Sequence, residues 1–214
     1  MRVPLALFCL FVSANALWAQ TLALRAEVGL TRSSLHGGDF DWGARDAPVL
    51  GLQVRYWPWD HLGVEVGGLL HDKGSQVPDI FRMRLTYLEA PLLLRLRIGA
   101  RDWALRPALA AGWAPARELS CALASAAPTL DNAVARLALR AGSCRTQRTD
   151  PWDFGTIIEA GVEVRALGRA TELRVRKTTG VHNIASGYRN GFPFHNRAVT
   201  VLIATPLIST RPSN

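Results

Sequence analysis

Between Tyr87 and Ile98 the chain alternates. Leu88, Ala90, Leu92, Leu94, Leu96 and Ile98 make one parity wholly apolar, while the other reads Tyr87, Glu89, Pro91, Leu93, Arg95 and Arg97. A strand throws successive side chains to opposite faces, so this segment carries one greasy face and one charged face. The same split recurs. Leu22, Leu24, Ala26, Val28 and Leu30 face away from Arg25, Glu27 and Thr31. Leu50, Leu52, Val54 and Tyr56 face away from Gln53 and Arg55. Leu62, Val64, Val66 and Leu70 oppose Glu65 and His71; Leu105, Leu109 and Trp113 oppose Arg106. Ile158, Val162 and Val164 oppose Glu159, Glu163 and Arg165, and Leu173 and Val175 oppose Glu172, Arg174 and Arg176. Val199, Val201 and Ile203 form a last, weaker strand. Eight strands are predicted.

The spacing between them alternates too. Short turns are expected at Trp57–His61, Gly99–Asp102 and Leu167–Arg169. Long connections are expected at Ser34–Ala47, His71–Phe81, Arg117–Pro151 and Gly180–Asn196. Short turns on one side and long loops on the other are the rhythm of an up-and-down barrel of the outer-membrane kind. No stretch after the first twenty residues reaches the eighteen or more apolar residues of a spanning helix. Eight tilted strands of about 9–11 residues consume on the order of 80 residues, which 214 residues supply with room for loops.

Charge separates a membrane barrel from a soluble one. The polar parity carries Arg25, Arg55, Arg95, Arg97, Arg106, Arg165, Arg174 and Arg176 against Glu27, Glu65, Glu89, Glu159, Glu163 and Glu172. Isolated buried charges cost several kcal/mol each, so a charged lumen needs mixed signs, and these eight Arg and six Glu meet that need. The apolar parity is free of charge along most strands, as a lipid-facing band must be. Two water-soluble rivals are a sheet with one wet face and a lipocalin-like binding barrel. Tyr56, Trp57 and Trp59 sit at one short turn, Trp103 follows another, and Trp113 and Trp152 flank the longest connection, so all six are expected at the membrane interfaces.

These segments resemble a known family. Tyr87-Leu88-Glu89-Ala90-Pro91-Leu92-Leu93-Leu94-Arg95 looks like a strand of the PorT-like outer-membrane β-barrel family. Asp153-Phe154-Gly155 through Gly161-Val162-Glu163-Val164 is similar to a later strand of that family. Gly180-Val181-His182-Asn183-Ile184 followed by Asn196-Arg197-Ala198-Val199 resembles its ending. The resemblance implies an all-β fold, an eight-stranded antiparallel up-and-down transmembrane β-barrel, in a family whose members mostly lack an assigned activity. Two departures stand out. The last strand ends Thr205-Pro206-Leu207 without the terminal aromatic that assembly machinery recognises, and Pro91 cannot donate to a ladder, so a bulge or local unpairing is expected beside Glu89.

The first residues change the compartment. Met1-Arg2 is a short positive region, Leu5 to Val12 is apolar, Ala14-Asn15-Ala16 fits a small-x-small cleavage site, and Ala19 before Gln20 offers a second. Residues 1–19 are predicted to be a signal peptide and residues 20–214 the barrel domain. Export puts Cys121 and Cys144 in an oxidising compartment, where they are expected to pair. Closing such a loop is worth roughly 3 kcal/mol in entropic models. Between them, Pro128 to Arg140 has helical spacing at Leu130, Val134, Leu137 and Ala138.

Candidate chemistry is thin. The five His (His36, His61, His71, His182 and His195) form no H-x-x-x-H pair, and no C-x-x-C, Walker or G-x-S-x-G pattern occurs, so no metal, cofactor or catalytic residue is assigned. His182, Ser186 and His195 share one predicted loop, which keeps a lipid-modifying enzyme as the rival reading. The net charge of +8 arises from 25 Lys+Arg against 17 Asp+Glu. With export and lumenal Arg, this excess does not point to nucleic acid. Arg117, Arg136, Arg140, Arg145, Arg148, Arg189 and Arg197, placed in the external loops, are instead candidates for anionic head groups. The expected protein is a non-enzymatic outer-membrane barrel with a narrow, charge-filled lumen. Its expected partners are outer-membrane lipids, the barrel-assembly machinery and other envelope proteins.

Overall fold

The computed structural model describes residues 21–37, 43–77, 81–100, 102–125, 150–166, 169–184 and 195–210. The predicted signal peptide, Cys144, Ser186 and the predicted helix at 128–140 lie outside these residues. Every described element is a β-strand: β1 (Thr21–His36), β2 (Arg45–Trp57), β3 (Leu62–Val77), β4 (Phe81–Glu89), β5 (Leu92–Arg97), β6 (Leu105–Ser125), β7 (Trp152–Ala166), β8 (Arg169–Gly180) and β9 (His195–Thr210).

Each strand pairs antiparallel with its neighbours, and β1 pairs with both β2 and β9, so the sheet closes on itself. Strands β4 and β5 both lie between β3 and β6 and act as one stave interrupted at Ala90-Pro91. The barrel therefore has eight staves in nine segments. Pro91 causes the break, as expected, but the wall stays sealed. Ala90 N donates to Pro115 O at 2.8 Å, and Pro91 O accepts from Gly67 N at 3.1 Å.

Register sets the shape. A walk across paired residues runs from Asp46 through Arg32, Val199, Lys177, Ile158, Ala111, Leu94 and Val64. It returns to β2 at Tyr56, ten residues from its start. With eight staves, a strand spacing near 4.8 Å and a rise near 3.3 Å per residue, this stagger requires a tilt of about 40° and a wall radius of about 8 Å. Such an interior is filled by its own side chains.

The strands run further than the hydrophobic pattern predicts at the end with the long connections. The expected loop at His71–Phe81 is mostly ladder, since β3 continues to Val77 and β4 begins at Phe81. Strand β6 likewise continues to Ser125. The reason is chemical. Above a certain height outward positions become polar (Asp72, Arg84, Thr86), so the apolar period stops while backbone pairing goes on.

Candidate functional site

Inward positions build a charged plug. Of the fourteen residues expected in the lumen, Arg25, Glu27, Arg55, Glu65, Glu89, Arg95, Arg106, Glu159, Glu163, Glu172, Arg174 and Arg176 are all buried. Arg174 sits at the centre. Its guanidinium lies 2.8 Å from Glu27, 3.0 Å from Glu65 and 3.2 Å from Glu159, and it donates to Gln53 Oε1 at 3.1 Å. Arg95 bridges Glu65, Glu159 and Glu172. Arg55 links Glu65 to Glu172, the latter at 2.8 Å, and Arg176 reaches Glu159 at 2.7 Å. Arg25 donates to the carbonyl of Ala204 at 2.7 Å. The carboxylates are shared among several guanidinium forks, the arrangement in which buried charge is tolerable.

Arg97 is partly buried and pairs with Glu163 at 2.8 Å near the short-turn mouth. Arg165 departs from the expectation. It also faces Glu163, at 3.1 Å, but its side chain is 37% exposed, because the last residues of β7 stand at the open rim. It caps the network rather than filling the lumen.

Toward the long connections a second cluster follows. Lys73 Nζ donates to Glu89 at 2.7 Å and lies 3.7 Å from Asp153; His71 Nε2 is 3.1 Å from Glu89. Asn196 donates to Asp153 at 2.8 Å. Beyond it, Leu35, Met83, Leu85, Tyr87, Ala116 and Ile184 form an apolar cluster that covers the plug. Sequence reasoning did not place Lys73, Asp153 or Asn196, which fell within or at the edges of predicted loops. The signal was present in the period-two spacing His71, Lys73, Ser75, which continues the inward parity of β3.

The outer wall is the inverse. Large apolar side chains stand exposed on every stave, among them Val28, Leu52, Val66, Leu94, Leu109, Ile158, Val175 and Ile203. At this tilt each residue climbs about 2.5 Å along the axis, so the apolar positions from Ile98 and Leu105 up to Phe154 and Leu88 span about 25 Å. That is the height of a lipid-facing band.

Five of the six expected interfacial aromatics (Tyr56, Trp59, Trp103, Trp113 and Trp152) are exposed on the outside or at the rims. Trp57 is the exception. It is 2% exposed and turned into the lumen, with the Arg97 guanidinium 3.6 Å from its ring centre. The ring has odd parity on β2, the same as Gln53 and Arg55, so the strand's pleat directs it inward. There it closes the short-turn mouth by cation–π stacking. Glycine at position 63 makes this possible: a Cβ there would come within 2.6 Å of the indole.

At the long-connection rim, His182 Nε2 lies 3.0 Å from Asp150 Oδ2, and His195 Nδ1 lies 3.0 Å from the His182 carbonyl oxygen. The Asp150 carboxyl is held below its usual range by the Trp152 N–H and by His182. Ser186 lies outside the described residues, so no nucleophile is placed beside this pair. Cys121 lies on β6 opposite Leu85, while its expected partner Cys144 is outside the described residues. Arg117 and Arg197, expected in loops, stand on the strand walls of β6 and β9.

No protein-family model matches this chain, and no curated protein matches it. The PorT-like resemblance is therefore not supported at the level of the family. Solved structures with a similar shape are small outer-membrane barrels. Ail, the attachment invasion locus protein of Yersinia pestis, is 9% identical over 90% of this chain and 99% of its own, with a TM-score of 0.49. Neisserial surface protein A is 10% identical over 85% and 96%, with a TM-score of 0.47. The outer membrane enzyme PagL is 11% identical over 84% and 99%, with a TM-score of 0.44. The fold itself rests on the strand register of this chain.

Proposed function

We propose that this chain is an integral outer-membrane β-barrel protein with a shut lumen, exported by its first nineteen residues, and that its role is structural or interactive rather than catalytic. The supporting observation is the inversion of the barrel: exposed aliphatic side chains on every stave enclose a buried network of Arg and Glu. A water-soluble barrel of this size would leave an apolar wall far larger than the few hundred Å² that soluble monomers expose. The lumenal ion pairs and the apolar cluster above them occupy the interior of a barrel this narrow, which supports the shut lumen. Its partners are then the lipids around the wall, the machinery that inserts it, and envelope proteins reached through the long connections.

The test is heat-modifiability of the membrane fraction, with carbonate extraction alongside. A faster-migrating unboiled band that stays in the pellet is expected. Release into the soluble fraction with no mobility shift would overturn the reading and favour a lipocalin-like binding barrel. The Asp150–His182 pair supports one rival, a lipid-modifying enzyme at the rim. Lipid modification by the purified barrel that disappears in His182→Ala would establish it.

A further inference from the structure

We propose that the outer wall carries a phosphate-binding patch for anionic phospholipid, formed by Lys177 on β8 and Arg197 on β9 with Arg32 on β1 in support. The proposal rests on the membrane reading above. It concerns three adjacent staves at the upper edge of the apolar band.

Register brings these residues together. Val199 pairs with Lys177 on one side and with Arg32 on the other. Arg197 precedes Val199 by two residues and shares its face, so it is the diagonal neighbour of both cations. Diagonal positions lie about 7–8 Å apart, within reach of long side chains that converge on one phosphate. All three cations are exposed and point away from the lumen.

Their charge is poorly balanced. Arg32 has Asp46 at 3.8 Å, but both side chains are 69% exposed, where such a pair is weak. Neither Lys177 nor Arg197 has a carboxylate partner among the described residues. Elsewhere on the same edge Arg84 holds Asp72 at 2.7 Å and Arg117 lies 5.8 Å from the Trp152 ring centre, while Arg82 on β4 is exposed beside Gln76 and Ala124. At the opposite edge the outward positions Leu22, Tyr56, Ile98, Leu105 and Val164 are uncharged. Lys177 and Arg197 are thus adjacent outward cations without a carboxylate partner among the described residues, with a third cation, Arg32, on the next stave.

Height fits a head group. Arg32 and Arg197 stand where the apolar band ends. Lys177 sits two to three residues lower, and its four-carbon stem can run up the wall to place the ammonium at the same level. Thr179, paired with Arg197, adds a hydroxyl at that level.

The experiment titrates the full-length folded barrel in detergent with phosphatidylglycerol, and separately with phosphatidylcholine, and resolves the first bound lipid by native mass spectrometry. The first phosphatidylglycerol should bind more tightly than phosphatidylcholine, and the preference should fall as salt rises. Lys177→Gln with Arg197→Gln should weaken it by roughly five-fold for each cation removed. Lys177→Arg and Arg197→Lys should retain the preference, and Arg84→Gln on the distant wall should leave it unchanged. A doubly neutralised barrel that binds phosphatidylglycerol like the native one would overturn the patch alone. A native chain that gives no heat-modifiable band in detergent would overturn the membrane reading and the patch with it.

Discussion

Arg174 is the residue whose loss the lumen should feel most. It is fully buried and touches three carboxylates and one amide. In Arg174→Met, Glu65 keeps Arg55 and Arg95, and Glu159 keeps Arg95 and Arg176. Glu27 fares worse, because its remaining partner is Arg176 at 3.6 Å. The substitution therefore strands chiefly one buried carboxylate, and breaking a buried pair in this way costs about 3–5 kcal/mol. Urea unfolding of the barrel in lipid vesicles, followed by tryptophan emission, reads this directly. With slopes of about 1–3 kcal/mol per molar urea, the midpoint should fall by on the order of 2 M. Adding Glu27→Gln should recover part of the loss, since the stranded charge is then removed. Arg174→Lys should fall between, because one ammonium cannot fork across three carboxylates. An unfolding free energy for Arg174→Met within about 0.5 kcal/mol of native, the size of an ordinary surface substitution, would refute the buried plug.

Three further outcomes follow from the same geometry. Leu52→Arg, near mid-height on the outer wall, should destabilise the vesicle-inserted barrel by about 2–4 kcal/mol in the same urea assay, whereas a solvated wall would tolerate it. Lipid-borne bromine quenchers should quench Trp113 far more than Trp57, tested in single-tryptophan variants; equal quenching would contradict the inward indole. The Asp150 carboxyl, held low by the Trp152 N–H and His182, contributes stability present above its unfolded pKa of about 3.9 and lost as pH falls through the folded value. A carboxyl NMR titration should therefore find Asp150 below the usual range, and His182→Ala should move it upward.

Local pattern alone carried much of this architecture. A period of two with one uncharged parity requires strands, and strands with opposite faces of opposite character require a wall between two environments. Leu88 to Ile98 showed this most clearly, and the interruption at Pro91 was legible because a residue without N–H cannot hold a ladder position. Twelve of the fourteen expected lumenal charges are buried for the same reason, since parity is a property of the backbone. Three matters depended on tertiary structure. Closure by β1 and β9 and the ten-residue stagger fix the radius, and contacts between residues far apart in the chain set both. The orientation of Trp57 reversed a reading from residue type, because pleat and the room beside Gly63 outweighed the interfacial preference of tryptophan. The free cations at Lys177 and Arg197 appear only when register places three staves side by side, and no local pattern along one strand encodes its neighbours across the barrel.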